Sequence, residues 1–269
     1  MTTRDREHTI RSASWRKHRR PLFELRVAAS LAVLLAVSLA SPGPGAGAVT
    51  VGEGGGGGGA PTSEPLPGGD ARYEFSVFRP KTHSVQKTSW YCVPTTIQMM
   101  LNLINGDSDR SKANQTKYWR YAQANSRYPV RDNGADPAGW VAALENWGAG
   151  TYTVAVNSSM QSALRETAMQ MQMTGKPAGL VVWGNGGTGG HAWVMTGFRS
   201  TGDPRSSADF RVLSVQAMGS LWPYGTINGK PFDPGPREWV EYAELERKFT
   251  KLRDPYADAW NGYWITVVP

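Results

Sequence analysis

Six consecutive glycines, Gly54 to Gly59, divide this chain. They lie in a tract, residues 49–71, that also holds Pro61, Pro65, Pro67 and the Gly68-Gly69 pair. Such a tract has few side chains to bury and much backbone entropy to lose on ordering, so it reads as a linker. A folded core is therefore expected from residues 72–269 alone. Hydrophobic residues make up 40% of the chain, with 11 Trp and 10 Tyr, which is enough to build such a core and argues against a disordered protein.

Residues 1–48 have a different character. Arg16, Lys17, Arg19 and Arg20 precede an apolar run from Val27 to Ala40. The small-residue triplets Ser38-Leu39-Ala40 and Ala46-Gly47-Ala48 then follow. Basic, apolar and small segments in that order are the pattern of a secretory signal peptide, which predicts a secreted or extracytoplasmic protein. The apolar run has 14 residues, short of the roughly 20 that span a bilayer as a helix. A leader retained as an anchor is the alternative. The same segment accounts for the charge. Of the net +7, residues 1–48 hold eight basic and three acidic side chains, which leaves 21 and 19 in the remainder. The body is nearly neutral and has no long basic run, so no nucleic-acid partner is expected, and no membrane contact beyond the leader.

The pattern from residue 72 onward predicts an α+β domain with an antiparallel sheet, helices mainly first and strands after. Tyr73 to Arg79 alternates like a strand. Val93, Ile97, Met100, Leu101 and Ile104 form one helical stripe, closed by Asn105-Gly106. Residues 112–124 form a second expected helix. Asp136-Pro137 starts a third, which stops at Gly148. Thr151 to Val156 is an expected strand, and Ser158 with Gln161 suggests a capping box for a helix ending at Gly175. Strands are expected at Leu180 to Trp183, His191 to Phe198 and Phe210 to Val215. A helix is expected at Glu238 to Leu252 and a last strand at Tyr263 to Val268.

Cys92 is the sole cysteine, so the chain forms no internal disulfide. An unpaired thiol outside the cell is exposed to oxidation, and its presence asks for a use or for burial. Cys92 stands immediately before the first helical stripe, and Pro94 sits where a first turn tolerates proline. There the helix dipole and free backbone N–H groups favour thiolate and can hold a developing oxyanion. The body of the chain has two histidines, His83 and His191. His191 opens an apolar strand after the glycine-rich loop 184–190 and is the candidate base. That loop lacks the Lys-Ser/Thr ending of a P-loop and precedes a strand, so it is not read as a phosphate site. His83 lies in a polar loop and is read as exposed. Gln86, six residues before Cys92, offers an amide donor. No zinc-ligand spacing and no cofactor motif is visible. Asn105 to Asp109 lacks the ligand spacing of a calcium loop and reads as a helix C-cap and turn. Trp90, Trp193 and Trp222 are read as either groove lining or core.

The stretch Gln86-Lys87-Thr88-Ser89-Trp90-Tyr91-Cys92-Val93-Pro94-Thr95-Thr96 resembles the nucleophile motif of papain-like cysteine peptidases. It is most similar to the branch containing the leader-peptidase domains of bacteriocin exporters and their stand-alone secreted relatives. Gly190 to Phe198 resembles that branch's histidine strand. The resemblance spans residues 80–225 and is sharp only in these two motifs. It implies a papain-like fold, with the catalytic helix packed on an antiparallel sheet. It also implies Cys92 as nucleophile, His191 as base, Gln86 in the oxyanion hole, and a peptide or protein substrate. The family places Asp or Asn, often followed by Pro, at the end of the strand after the histidine strand. Gln216 stands there in this chain and is the expected third residue, with Asp203, Asp209 and Asp233 as substitutes that spacing does not rank. Besides hydrolysis, an acyl or amide transferase with the same residues and an inactive secreted binding module of the same fold are the competing expectations.

Overall fold

The computed structural model describes residues 73–128, 133–183, 190–227, 229–253 and 259–269. The leader, the linker and the glycines of 184–189 lie outside the described residues.

The elements run β1 (Tyr73–Ser76), α1 (Cys92–Asn105), α2 (Lys112–Ala124), α3 (Pro137–Asn146), β2 (Thr153–Asn157), α4 (Met160–Thr174), β3 (Ala178–Trp183) and β4 (Gly190–Ser200). They continue with β5 (Val212–Gly219), β6 (Thr226–Ile227), β7 (Lys230–Pro231), β8 (Glu238–Glu241), α5 (Tyr242–Lys248) and β9 (Trp264–Val268). The fold is α+β with antiparallel pairing throughout, as the helix-then-strand order predicts. The main sheet has the order β2-β9-β3-β4-β5-β8. β4 is long enough to pair with β3 over its first half and with β1 over its second, while β5 lines its other edge.

Helices cover both faces of the sheet. Ala192 and Val194 of β4 join the core under α1, α2 and α3, and Trp193 and Met195 join the core that holds α4 and α5. This is the two-residue alternation of a strand buried on both sides. A register shift between Met195 and Gly197 inserts one extra residue. The alternation slips there, so Phe198 joins the second core.

α1 is buried almost all round, with eleven residues from Val93 to Leu103 shielded from solvent. It lies under α2 and α3 and against β4. Its stop is the expected one: Gly106 takes φ 76°, and its N–H donates to the carbonyl of Asn102. Asp136 caps α3 through the Gly139 N–H, with Pro137 in the first turn. α4 also ends at its left-handed glycine, Gly175, but its cap is Ser159 and not the expected Ser158.

The stretch expected as one helix from Glu238 to Leu252 is instead β8 followed by the short α5. The side chains of Glu238 to Glu241 follow a helical stripe well enough, yet β5 offers an open edge, and pairing Val215 with Val240 satisfies those backbone groups there. Tertiary pairing overrides the local pattern. No helix among the described residues is long and apolar enough to cross a membrane.

Candidate active site

Cys92 is the first residue of α1 and is partly buried. The residue before it, Tyr91, provides no side-chain cap, and Pro94 has no N–H to give. The N–H groups that open the helix are thus left for another acceptor. Thr96 Oγ1 donates to the carbonyl oxygens of Cys92 and Val93 at 2.7 and 2.8 Å, which ties the first turn together.

His191 enters from the start of β4, with its side chain 12% exposed. Its Nε2 lies 2.9 and 3.0 Å from the two carboxylate oxygens of Asp233. Nδ1 is the ring nitrogen that remains for a second partner, and the Cys92 thiol lies close enough to act on the ring's protonation. Burial alone would lower the imidazole pKa. Asp233 and then Cys92 oppose it through hydrogen bonding and charge, and the pKa is raised to about 10. The contact with Asp233 thus favours the protonated form of the ring.

Asp233 is 1% exposed and fully engaged. Besides His191 it accepts the Trp193 indole N–H at 2.8 Å and the Leu221 backbone N–H at 2.6 Å. It packs directly over Gly219, which is paired with Trp193 across the β4–β5 ladder. The absence of a side chain at Gly219 gives the carboxylate its room.

Gln86 is clamped by the next residue, Ser220. The Gln86 N–H donates to the Ser220 carbonyl at 2.9 Å, and Ser220 Oγ donates to Gln86 Oε1 at 2.7 Å. Gln86 Nε2 donates one proton to the Thr88 carbonyl at 2.8 Å, leaving its second N–H for another oxygen. Thr88 also accepts from Tyr91 N–H, so the amide is tied to the turn that leads into Cys92. Residues 219–221 thus join Gln86 on one side to Asp233 on the other.

A second brace comes from three buried amides that sequence reasoning passed over: Gln98, Asn102 and Gln115. Gln115 Oε1 accepts the Lys87 N–H at 3.0 Å, and its Nε2 reaches the Val85 carbonyl at 3.1 Å, so it holds the chain on both sides of Gln86. Gln98 accepts from Ser84 Oγ at 2.7 Å, and Asn102 donates to the Thr82 carbonyl at 3.1 Å. Gln98 and Asn102 lie four residues apart on α1 and face the 82–87 segment together. Polar residues interrupting an apolar helix were the available signal. Asp109 completes the network; burial pushes its carboxyl up, but its bonds from Asn114, Ser111 and Gln98 hold it below the usual range.

Gln216, the expected third residue, is placed elsewhere. β5 runs on to Gly219, so Gln216 lies within the strand and not at its end. Its Oε1 accepts from Ser76 Oγ at 2.6 Å and Thr196 Oγ1 at 3.1 Å. Asp203 is paired with Arg205, and Asp209 is exposed in the same loop. Of the residues considered, Asp233 is the one on the ring. The chain reaches it only after the Ser220–Phe232 excursion that contains the β6–β7 hairpin. Its signal was the following Pro234. His83, read as exposed, is half-buried; its Nε2–H donates to the Gly219 carbonyl at 3.0 Å, and its ring meets Trp222 edge-on. Trp193 is core, whereas Trp90 is 38% exposed.

No family model and no curated protein matches the chain.

Proposed function

We propose that the chain is a secreted, papain-like cysteine peptidase that hydrolyses peptide bonds. The observation that carries this reading is the imidazole of His191, held by buried Asp233 through Nε2 and neighbouring the Cys92 thiol at the start of α1. The resemblance of the Gln86–Thr96 and Gly190–Phe198 stretches to that family supports it.

In the reaction, Cys92 Sγ attacks the substrate carbonyl as thiolate. The carbonyl oxygen gains charge and is met by the free Gln86 Nε2–H and by backbone N–H at the start of α1. His191, protonated, gives its proton to the leaving amine, and the C–N bond breaks. Water, deprotonated by His191, then attacks the acyl-enzyme and releases the acid and the thiolate. Asp233 keeps the ring oriented and stabilises its cation. Residues 1–48 serve as the signal peptide and residues 49–71 as the linker to the peptidase domain. The binding-module reading draws on the non-acidic Gln216, and the Asp233 carboxylate beside the ring weighs on the side of the peptidase reading.

The test is the pH dependence of Cys92 alkylation by iodoacetamide in the folded protein, with and without His191→Ala. Fast reaction at pH ~6 that disappears in the variant is the expected result, since an ordinary thiol reacts as thiolate only near its pKa of ~8.5. Alkylation that ignores His191 overturns the proposal.

A further inference from the structure

A groove of about 300 Å³ lies beside the candidate site, lined in part by Lys81, Lys87, Arg110, Phe78, Trp222 and Pro236. It shares two chain segments with that site. Val85 and Lys87, on either side of Gln86, both line it, and Trp222 follows the Ser220-Leu221 pair that binds Gln86 and Asp233. His83, also in its wall, is bonded to Gly219, beneath Asp233.

The charge in the groove has one sign. Three cations line it and no carboxylate does. Among the described residues, Lys81, Lys87 and Arg110 form no salt bridge with an acid. Arg110 is fixed in place: its Nε donates to the His83 carbonyl at 3.0 Å and its Nη2 to the Lys81 carbonyl at 3.2 Å. A fourth cation, Arg237, stands over the Phe78 ring at 5.3 Å. Lys81 and Arg237 both adopt positive φ, 68° and 72°, a conformation uncommon for residues with long side chains. The bend at Lys81 carries one of the cations that face this groove. The remaining walls are apolar and aromatic. Like charges gathered over low-dielectric walls concentrate a potential that draws an anion, and the aromatic walls suit a peptide's apolar side chains.

We propose that this groove is a substrate subsite that binds an acidic side chain of the peptide being cleaved, with its apolar neighbour against Phe78 and Trp222. This rests on the peptidase reading for the word substrate, and on the groove itself for the binding of an acidic peptide.

The experiment uses the full chain carrying Cys92→Ala, so that no peptide is consumed. The probe is a blocked pentapeptide alternating glutamate and leucine, titrated calorimetrically beside its glutamine and lysine counterparts. The glutamate peptide should bind, the glutamine form more weakly, and the lysine form not at all. The Lys81→Ala/Lys87→Ala double variant should weaken binding by roughly fivefold to thirtyfold. Both lysines are exposed, so the variant keeps the fold. In the wild type, the glutamate peptide should also slow alkylation of Cys92. Equal binding of the glutamate and glutamine peptides, or no loss in the double variant, overturns the groove as an acid site. Binding without protection of Cys92 overturns its role as a subsite, as does tighter binding of a short polyphosphate than of the peptide. The alkylation profile of Cys92 with and without His191 is read separately, so a failed groove and a failed peptidase reading give different results.

Discussion

Gly219→Ala is the sharpest test of how the site is built, because it alters no residue that takes part in the proposed chemistry. A methyl group at this position would stand closer than 3.0 Å to Cβ, Cγ and Oδ2 of Asp233, where ordinary contact begins at 3.4 Å. Asp233 must then retreat by about 1 Å, since interiors are close-packed and such overlaps are not absorbed in place. Its bonds to His191, Trp193 and Leu221 are 2.6 to 3.0 Å long. A shift of ~1 Å stretches the bonds it moves away from to roughly 3.6–4.0 Å, outside hydrogen-bonding range. Losing two of the three, each to a charged group and each buried, costs about 3–5 kcal/mol. That is a large part of the ~5–15 kcal/mol by which a domain is stable. The electrostatic consequence is more specific. Without Asp233 against Nε2, Cys92 alone opposes burial, and the His191 pKa falls from about 10 toward its ordinary value. The assay is a pH titration of the imidazole nitrogens by NMR in protein labelled at histidine, with His191 assigned from His191→Gln. A wild-type titration for His191 in Gly219→Ala, with an unchanged melting temperature, would refute the account of Asp233 resting on a bare glycine.

Other substitutions probe the same arrangement. Asp233→Asn keeps the shape but removes the charge, so His191 should titrate lower and the rapid low-pH alkylation of Cys92 should be lost, as followed by mass spectrometry. Since the folded pKa of His191 lies above the unfolded value, its ion pair contributes stability fully below pH ~6.5, and that contribution is lost as pH rises toward about 10. The melting-temperature gap between wild type and His191→Gln should therefore narrow from pH 6 to 10. Gln86→Ala should lower peptide hydrolysis by about 10²-fold, and Ser220→Ala by a smaller factor. Both should leave Cys92 alkylation unchanged, and a parallel loss of alkylation would mean that Gln86 serves the fold and not the oxyanion. Trp140, fully buried and packed on Gly179, should cost about 3–5 kcal/mol in chemical denaturation when replaced by alanine.

Much of the architecture is legible along the chain because its signals are local. The α1 stripe, the Asp136-Pro137 start and the glycine stops at 106 and 175 each depend on residues within a few positions of one another. Cys92 and His191 stand out for an equally local reason: each is a scarce residue type placed where an element begins. β8 was missed because an open sheet edge, absent from any local pattern, decides what Glu238 to Glu241 become. Asp233 is the same case at the site. A strand-end rule points to Gln216, but β5 runs three residues further, and the chain makes a hairpin before returning over Gly219.

By itself, the sequence determined the α+β class, most of the elements, and the candidate nucleophile, base and amide donor, because propensity, capping and residue scarcity act within one or two turns of chain. Only the tertiary structure decided which carboxylate holds His191, what clamps Gln86 between Gln115 and Ser220, and that His83 turns inward. Those contacts join residues from 28 to 136 positions apart. Hydrogen bonds of that kind follow from where folded strands and loops meet, which no spacing along the chain encodes.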